Sequence, residues 1–167
     1  MRRAGATIGV GRYDEPRRWY SSPLFETPGN ERLLNRTVHL GIDLFAPAGT
    51  PVFAPLDGVV RSVTDNRGSL DYGPTVLLEH RVEDEDGPFT FHTLYGHLSR
   101  ESVEGLEPGR PVEAGQAFAA LGSEEENGGW APHLHFQVVA DRLGFEGDFP
   151  VVALARDSEV WLGLSPD

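Results

Sequence analysis

Hydrophobic and polar residues alternate along much of the chain from residue 38 onward, which is the pattern of β-strands with one buried face. The clearest example is residues 38–45, where apolar side chains occupy every second position from Val38 to Leu44. Successive side chains of a strand point to opposite faces of the sheet. The run therefore predicts a strand whose core face is apolar and whose other face carries the residues in between.

Further runs of the same kind predict more strands, and turn-forming sequences such as Asp57-Gly58 and Pro108-Gly109 separate them. The predicted strands are residues 52–54, 58–63, 75–80, 89–95, 116–121 and 133–139. Only residues 98–106 and 157–164 have a composition suited to a helical turn or two. Many short strands and little helix predict an all-β fold, which we expect to be an antiparallel β-sandwich or barrel.

A short sequence repeat and a change in hydrophobic periodicity indicate how the chain is organised. Residues 49–54 and 109–114 both read Gly-x-Pro-Val-x-Ala, so we expect two pseudo-equivalent halves, although two similar turns would give the same match. Residues 1–36 lack sustained periodicity and are predicted to form an N-terminal arm packed on the domain. The β domain then comprises residues 37–140, and a C-terminal extension comprises residues 141–167.

Composition narrows the class of protein. With 167 residues, 39% of them hydrophobic, the chain is long enough for one domain with a substantial core. The absence of cysteine excludes disulfides and thiolate metal sites and fits a reducing cytoplasm. The net charge of -12 disfavours nucleic acid and anionic membranes as partners, because phosphate contacts require cationic side chains. No stretch is apolar enough to cross a membrane, and residues 1–5 lack the apolar core of a secretory signal, so we expect a cytoplasmic protein.

Two histidines on one predicted strand are the first candidates for chemistry. His133 and His135 point to the same face at a Cα separation of roughly 6.5–7 Å, so their imidazoles can converge on one small site, one as a ligand and the other beside it. Nitrogen ligands of this kind suit zinc. The alternative is a pair of surface or hydrogen-bonded histidines without a metal.

A second cluster, His39 and Asp43, requires the chain to bend. Four residues of extended chain would separate these side chains by roughly 13 Å, which is too far for a shared ion. A helix would bring them together, but Gly41 and the flanking alternation argue against a helix. Because glycine tolerates a bulge or kink, we predict a bend at Gly41. Without the bend, these residues would form a polar, solvent-facing strand edge.

A further histidine, His97, follows Tyr95 at the end of a predicted strand, and Gly96 between them allows close approach of another backbone. His80 and His92 lack such neighbours and are predicted to be structural. A site of two histidines and one carboxylate leaves a coordination position open, which is typical of catalytic zinc. Water bound there has its pKa lowered from about 15.7 toward roughly 7. The remaining histidines would then be available to move protons.

The order of these motifs resembles the lysostaphin-type zinc endopeptidases, which are best known for cutting peptidoglycan cross-links and related glycine-rich peptides. The resemblance rests on His39-x-x-x-Asp43, on the Tyr-Gly-His-Leu sequence around His97 and on the His-Leu-His-Phe sequence that begins at His133. It covers residues 37–140, the predicted β domain.

The resemblance implies a role for each residue, and a fold. By likeness, His39, Asp43 and His135 are the zinc ligands, and His97 and His133 flank the metal as a catalytic pair. The family fold is an antiparallel β-sandwich, the duplicated hybrid motif, which agrees with the internal repeat. On this likeness the chain is a zinc-dependent metallopeptidase that hydrolyses a peptide or amide bond by metal-activated water.

A narrower resemblance concerns the wider protein. The Gly-Gly-Trp-Ala-Pro sequence before His133 and the Trp-Leu-Gly-Leu sequence at residues 161–164 look like the peptidase-type domain of certain long cytoplasmic chains. Those chains also carry an aminoglycoside-phosphotransferase-like kinase domain and a pyridoxal-phosphate aminotransferase domain. The resemblance thus implies kinase-like and aminotransferase domains as partners in a longer chain.

The loop before His133 departs from the Ser/Thr-Gly-rich loop of typical wall-cutting members, because it carries three glutamates at residues 124–126 and Trp130. Acid at the mouth of the site suits a cationic or amine-bearing substrate, whereas a solvated turn beside a packed tryptophan explains the same residues without a substrate. The acidic loop and the lack of a secretory signal together motivate an alternative function, a non-hydrolytic zinc-containing binding or docking module of a multidomain amino-acid or amine-metabolising enzyme.

Overall fold

The protein folds mainly as antiparallel β-strands, and its computed structural model describes residues 5, 7–18, 20, 23–27, 35–147 and 149–167. The strands in this part of the chain are β1 (Gly9–Gly11), β2 (Val38–His39), β3 (Ile42–Phe45), β4 (Pro51–Phe53), β5 (Gly58–Asn66), β6 (Gly73–Asp84), β7 (Gly87–Gly96), β8 (Pro111–Val112), β9 (Ala117–Ala120), β10 (His133–Val139) and β11 (Val152–Ala153). Helical segments are α1 (Arg100–Val103), α2 (Ser158–Leu164) and the 3-10 turns Pro23–Phe25 and Ala155–Asp157.

A seven-stranded antiparallel sheet, in the order β1-β3-β10-β7-β6-β5-β8, forms the body of the molecule. Two strand pairs, β2 with β11 and β4 with β9, form separate small sheets. The long hairpin of β6 and β7 lies near the centre of the main sheet and places β7 directly against β10. The predicted all-β antiparallel fold is confirmed.

The main core lies between the large sheet and the β4–β9 pair. Val76 and Tyr95 of the large sheet are almost completely buried and share one apolar cluster with Val52 of β4 and Phe118 of β9. Tyr95 and Phe118 pack edge to face with ring centroids 4.9 Å apart. Burial of this apolar surface stabilises the sheet that carries the candidate histidines.

The predicted strands match observed ones, with wider bounds in the central hairpin. β10 has the predicted bounds, whereas β6 and β7 extend beyond the apolar runs because their polar ends pair with each other. The sequence does not predict β1, β8 and β11, since strands of two or three residues leave little periodicity. Both predicted helical segments contain a shorter helix. The longest described helix, α2, has 7 residues, and none of the described helices has the length and apolar character to span a bilayer.

The run at residues 38–45 is two strands in two sheets rather than the single predicted strand. β2 pairs with β11, whereas β3 pairs with β1 and β10. The chain bends at Gly41, which confirms the predicted bend. A Cβ on Gly41 would lie 2.5 Å from the carbonyl oxygen of Phe136 and 2.8 Å from Cε1 of His135. Glycine is therefore required because β10 approaches this backbone closely.

The Gly-x-Pro-Val-x-Ala repeat forms two equivalent pieces of structure. In each copy the glycine N–H donates to the carbonyl of a residue distant in sequence, and the N–H of that residue donates back to the carbonyl of the residue after the glycine. The partner is Leu121 for Gly49 and Val60 for Gly109, with hydrogen bonds of 2.8 Å and 2.9 Å in both copies. Both glycines have a left-handed φ, 80° and 90°, which side chains disfavour. The repeat predicted from the sequence thus has a structural counterpart.

The described part of the N-terminal arm packs on the β domain. β1 pairs with β3, and Pro16 bridges to Val38. Tyr20 and Phe25 stack with centroids 4.3 Å apart and share a buried cluster with Val152. Within the predicted arm, residues 1–4, 6, 19, 21–22 and 28–34 lie outside the described residues. The division of the chain into arm, domain and extension stays a prediction.

Candidate metal centre

Three buried donor atoms from separate parts of the chain meet at one point. Nε2 of His39 lies 3.0 Å from Nδ1 of His135, and Oδ1 of Asp43 lies 3.2 Å from the first and 3.1 Å from the second. The three side chains are only 2–4% exposed. Among the described residues they form a cluster that could hold a metal ion. The structure thus brings together the three residues that the family resemblance implies as ligands.

The fold explains this convergence. β3 and β10 are antiparallel neighbours, and Asp43 lies directly opposite His135 in their register. His39 ends β2, and the bend at Gly41 follows it. Because a straight strand would hold His39 roughly 13 Å from Asp43, the bend is what allows the two side chains to meet.

Hydrogen bonds to the outer ring nitrogens select the tautomer of both histidines. Nδ1 of His39 lies 3.1 Å from the backbone carbonyl of Arg12, which can only accept, so this nitrogen carries the proton. Nε2 of His135 lies 3.1 Å from Oε1 of Gln137 and donates to it. Nε2 of His39 and Nδ1 of His135 therefore present lone pairs toward Asp43.

Gln137 orients His135 from the same face of β10. Its amide nitrogen donates to the carbonyl of Pro150 at 3.1 Å and to Oγ of Ser165 at 2.7 Å, which leaves the amide oxygen to accept from His135. Gln137 is 1% exposed, so this network is shielded from solvent. A hydrogen-bonded partner behind a ligand fixes the orientation of its ring and is a recurrent feature of metal sites.

The donor set fits a zinc ion. Two imidazole lone pairs and a carboxylate oxygen face one another with no proton between the two nitrogens, and a cation relieves this repulsion. Tetrahedral zinc with bonds of about 2.0–2.2 Å keeps its donor atoms about 3.4 Å apart. The observed separations of 3.0 Å, 3.1 Å and 3.2 Å are only slightly shorter. A small expansion of the site is therefore enough to admit the ion.

The second oxygen of Asp43 is held by an arginine of the arm. Nη1 of Arg17 donates to Oδ2 of Asp43 at 2.6 Å and to the hydroxyl of Tyr20 at 2.7 Å. The ion pair with the buried guanidinium of Arg17 favours the ionised form of this carboxyl group. Asp43 is therefore an anion at neutral pH, as a metal ligand must be.

His97 and His133 form a second pair beside the three donors. Their ring centroids lie 4.0 Å apart, and Nε2 of His133 lies 3.9 Å from Oδ1 of Asp43. Nδ1 of His97 donates to the carbonyl of Asn127 at 3.0 Å, and Nδ1 of His133 donates to the carbonyl of Ala131 at 2.7 Å. Each ring therefore keeps an unprotonated Nε2 that can accept a proton.

Burial keeps this second pair neutral. Burial lowers the pKa of His97 well below its ordinary value, and the nearby ring of His133 lowers it further. Burial also lowers the pKa of His133. The backbone of His97 has a left-handed φ of 62°, which is uncommon for a residue with a side chain and is concentrated at functional sites. Both rings are thus available as neutral bases near pH 7.

A cavity of about 170 Å³ opens onto these histidines. The side chains of Tyr20, Phe25, Tyr72 and Trp130 are among its walls. Tyr20 and Trp130 pack edge to face with centroids 6.0 Å apart. The arm therefore forms one wall of the site, and the loop before His133 forms another.

The acidic loop is only partly available to a ligand. Glu126 accepts hydrogen bonds from the backbone N–H groups of Ser123 and Arg100 at 3.2 Å and 3.3 Å, so it stabilises the loop itself. Glu124 and Glu125 are exposed and do not line the cavity. Glu124 and Glu125 therefore fit the interpretation of this loop as a solvated turn, and Glu126 has a structural role.

His80 and His92 lie outside the cavity walls. His80 is bonded through Nδ1 to the carbonyl of Asp57 at 2.8 Å and through Nε2 to Oγ1 of Thr93 at 2.7 Å. His92 is buried, with Nε2 3.5 Å from a carboxylate oxygen of Glu79. Both therefore contribute to the β6–β7 hairpin, in line with the structural role expected from the sequence.

The polar face of β10 is more buried than its apolar face. His133, His135 and Gln137 are 4%, 3% and 1% exposed, whereas Leu134 and Phe136 on the opposite face are half-buried and pack against the main core. The difference arises because the arm and the C-terminal segment cover the polar face. The roles of Arg17 in the arm and of Gln137 are not predicted from the sequence; the only signal is that Gln137 shares a strand face with the two histidines.

Comparisons with known proteins identify relatives of this chain. The sequence profile described as Peptidase family M23 matches residues 37–145. A Haemophilus influenzae protein named uncharacterized metalloprotease is 33% identical over 136 residues, which cover 80% of this chain and 26% of that protein. Peptidoglycan DD-endopeptidase ShyC of Vibrio cholerae is 34% identical over 105 residues, which cover 63% of this chain and 21% of that protein. The chain thus spans only 26% and 21% of the length of these relatives.

The fold is similar to a solved structure, the catalytic domain of the antimicrobial peptidase lysostaphin from Staphylococcus simulans. The TM-score is 0.54 at 24% sequence identity, and 92% of each chain is covered. This likeness concerns the fold and agrees with the predicted architecture. The matched profile and the cluster of His39, Asp43 and His135 together confirm the prediction of a zinc cofactor.

Proposed function

Because the chain belongs to peptidase family M23, we propose that it is a zinc-dependent metallopeptidase that hydrolyses a peptide or amide bond by metal-activated water. His39, Asp43 and His135 are the proposed zinc ligands, and His97 and His133 are the proposed catalytic residues. The observation that carries the proposal is the convergence of two unprotonated imidazole nitrogens and one carboxylate oxygen at separations of 3.0 Å, 3.1 Å and 3.2 Å.

Proton handling falls to the paired histidines in this proposal. A zinc ion held by the three donors supplies Lewis-acid chemistry and a water of lowered pKa. In each of His97 and His133, Nδ1 donates to a backbone carbonyl, which leaves Nε2 free to accept a proton. Nε2 of one of these rings accepts the proton of the attacking water and later delivers it to the leaving amine. The imidazolium formed in between stabilises the negative charge of the tetrahedral intermediate.

The proposed substrate is a peptide or amide whose scissile bond enters the cavity beside Trp130. ShyC is named as a peptidoglycan endopeptidase, so peptidoglycan peptides are one class to test. Amine-bearing amides are a second class to test. Glu124 and Glu125 do not line the cavity, but as exposed charges of the loop before His133 they attract cations to this side of the protein at long range.

A library of peptides and acyl-amines, with purified peptidoglycan as one arm, tests the proposal. The zinc-loaded protein should release new amino groups, and His97→Asn and His133→Asn should retain zinc while turnover falls by about 10²–10⁴-fold. Arg18→Gln is the matched control, because Arg18 is exposed and does not line the cavity. Bound zinc without turnover of any library member would favour the alternative, a non-hydrolytic binding or docking module. A protein that binds no zinc would reject both.

We also propose a cytoplasmic location within a longer chain that carries kinase-like and aminotransferase domains. The resemblance around Trp130 and Trp161 supports this proposal, and the absence of cysteine is compatible with it. Immunoblotting of fractionated source cells tests both parts. A cytoplasmic product much longer than 167 residues is expected, and a product confined to the cell envelope would contradict the proposal.

A further inference from the structure

The two carboxylate oxygens of Asp43 have different partners, and one of them is contacted by an arginine outside the range that the family profile matches. Arg17 precedes residue 37, where the family profile begins. Its Nη1 donates to Oδ2 of Asp43 at 2.6 Å. The other oxygen, Oδ1, faces His39 and His135 at 3.2 Å and 3.1 Å. Oδ2 therefore accepts a hydrogen bond from the arm, whereas Oδ1 faces the two histidine ligands.

Arg17 is held in place through both its backbone and its side chain. The backbone N–H of Arg17 donates to the carbonyl of Thr37 at 2.7 Å. Nε donates to a carboxylate oxygen of Glu15 at 3.3 Å, and Nη1 also donates to the hydroxyl of Tyr20 at 2.7 Å. The side chain is 8% exposed. Because ordering an arginine opposes its large conformational entropy, so many fixed partners indicate a built contact rather than a chance surface pair.

Gly11 provides the space for the guanidinium. It lies opposite Asp43 in the register of β1 and β3. A Cβ on Gly11 would lie 2.6 Å from Nη2 of Arg17 and 3.1 Å from Cβ of Asp43. The absence of a side chain at this position thus allows the arginine to reach the carboxylate between two strands.

We propose that Arg17 is a positioning residue of the metal centre. By occupying Oδ2, it leaves Asp43 only Oδ1 for the metal, which fixes the carboxylate as a ligand through one oxygen and keeps a coordination position free. The N-terminal arm therefore orients a metal ligand in addition to forming one wall of the cavity. This inference rests on the proposed function and extends its metal site to a residue outside the family domain.

Zinc affinity and cobalt coordination test the proposal in three variants. Arg17→Met removes the donor and keeps most of the side-chain volume, Arg17→Lys keeps a charge but loses the planar fork, and Arg18→Gln is the matched control on the exposed neighbour. Competition with a chelator should show zinc binding about 10–100-fold weaker in Arg17→Met, as is usual when a partner behind a ligand is lost. Arg17→Lys should be intermediate, and Arg18→Gln should match the wild type.

The cobalt(II)-substituted protein reports the coordination mode directly. Four-coordinate cobalt absorbs visible light more strongly than five-coordinate cobalt. If Arg17→Met frees Oδ2 of Asp43, the carboxylate can bind through both oxygens, and the visible absorption should weaken. Arg18→Gln should keep the wild-type spectrum. This readout responds to coordination and does not depend on turnover.

Gly11→Ala is a second route to the same result if Arg17→Met does not fold. It retains every polar group but should displace the guanidinium from Asp43, so zinc affinity and the cobalt spectrum should change as in Arg17→Met. Gly163→Ala is its control, because a Cβ there meets no atom within 4 Å. Wild-type or tighter zinc binding with an unchanged cobalt spectrum, in whichever of the two variants folds, would overturn this inference alone. A wild-type protein that binds no zinc would overturn the proposed function as well.

Discussion

Nε2 of His39 and Nδ1 of His135 lie 3.0 Å apart although each ring donates its proton to a different acceptor. Two lone pairs and the carboxylate oxygen of Asp43 therefore face one another in a buried space, where repulsion is poorly screened. The register of β3 and β10 and the bend at Gly41 maintain this arrangement. Because a divalent cation replaces the repulsion by three bonds, metal binding and stability are linked.

Removal of zinc is therefore expected to destabilise the fold. Zinc added to chelator-treated protein should raise the unfolding temperature, since an ion that binds only the folded state adds about 2.7 kcal/mol when it is at about 100 times its dissociation constant. Calorimetry with and without chelator measures the change. His135→Ala should lose the zinc-dependent increase, and Arg18→Gln should keep it. An increase that survives in His135→Ala would place zinc elsewhere.

Gly41→Ala is expected to damage both the fold and the metal site. The added methyl group would meet the carbonyl of Phe136 and the ring of His135 at distances that cannot be sustained. Overpacking of this kind destabilises by about 1–3 kcal/mol, and displacement of His135 should weaken zinc binding. Urea denaturation and zinc titration measure the two effects. Gly163→Ala is the matched control in α2, where the added methyl group meets open space; wild-type behaviour of Gly41→Ala would contradict the close approach.

The bend at Gly41 shows which features of the fold the sequence predicts and which it does not. The alternating pattern located the strand, and a distance argument required a bend if His39 and Asp43 share one ion. The pattern could not show that the two halves of the run belong to different sheets. That outcome depends on pairing between β2 and β11, whose residues lie far apart along the chain. Strands of two residues carry too little periodicity to predict such a partner.

Gln137→Met is expected to weaken zinc binding by about 10–100-fold while the fold is retained. The substitution keeps the volume of the side chain but removes the acceptor that holds the proton of His135 on Nε2. Without that acceptor, the ring can rotate or change tautomer and lose its lone pair toward the metal. Chelator competition measures the affinity. Gln116→Met is the matched control, because the side chain of Gln116 accepts a bond from the exposed backbone N–H of Glu113, outside the metal centre. Equal losses in both variants would contradict a specific role of Gln137.

The surroundings of the donors were the least predictable part of the site. The period of a strand places Gln137 on the face of His135, but its anchoring depends on Pro150 and Ser165, in a segment whose path the sequence does not reveal. Arg17 lies in a stretch without periodicity, so no local pattern connects it with Asp43. Motif spacing identifies residues that a reaction needs, whereas the partners behind them follow from tertiary packing.

Burial of His97 links the stability of the metal-free protein to pH. Its pKa in the folded protein lies well below the ordinary value of 6.5, chiefly because burial disfavours the charged ring. Above pH 6.5 the ring is neutral in both the folded and the unfolded state, and its full contribution to stability is present. Below it, the unfolded chain binds a proton that the folded protein does not, so the unfolded state is favoured.

The metal-free protein is therefore expected to lose stability as the pH falls below about 6.5. One such histidine contributes up to about 1.4 kcal/mol per pH unit, and His39 and His133, whose pKa values burial also lowers, add to the slope. Urea denaturation in the presence of chelator at several pH values measures it. His97→Gln, which retains a donor for the carbonyl of Asn127, should give a shallower slope, and Arg18→Gln should give the wild-type slope. Equal slopes for His97→Gln and the wild type would show that His97 is not held neutral by its burial.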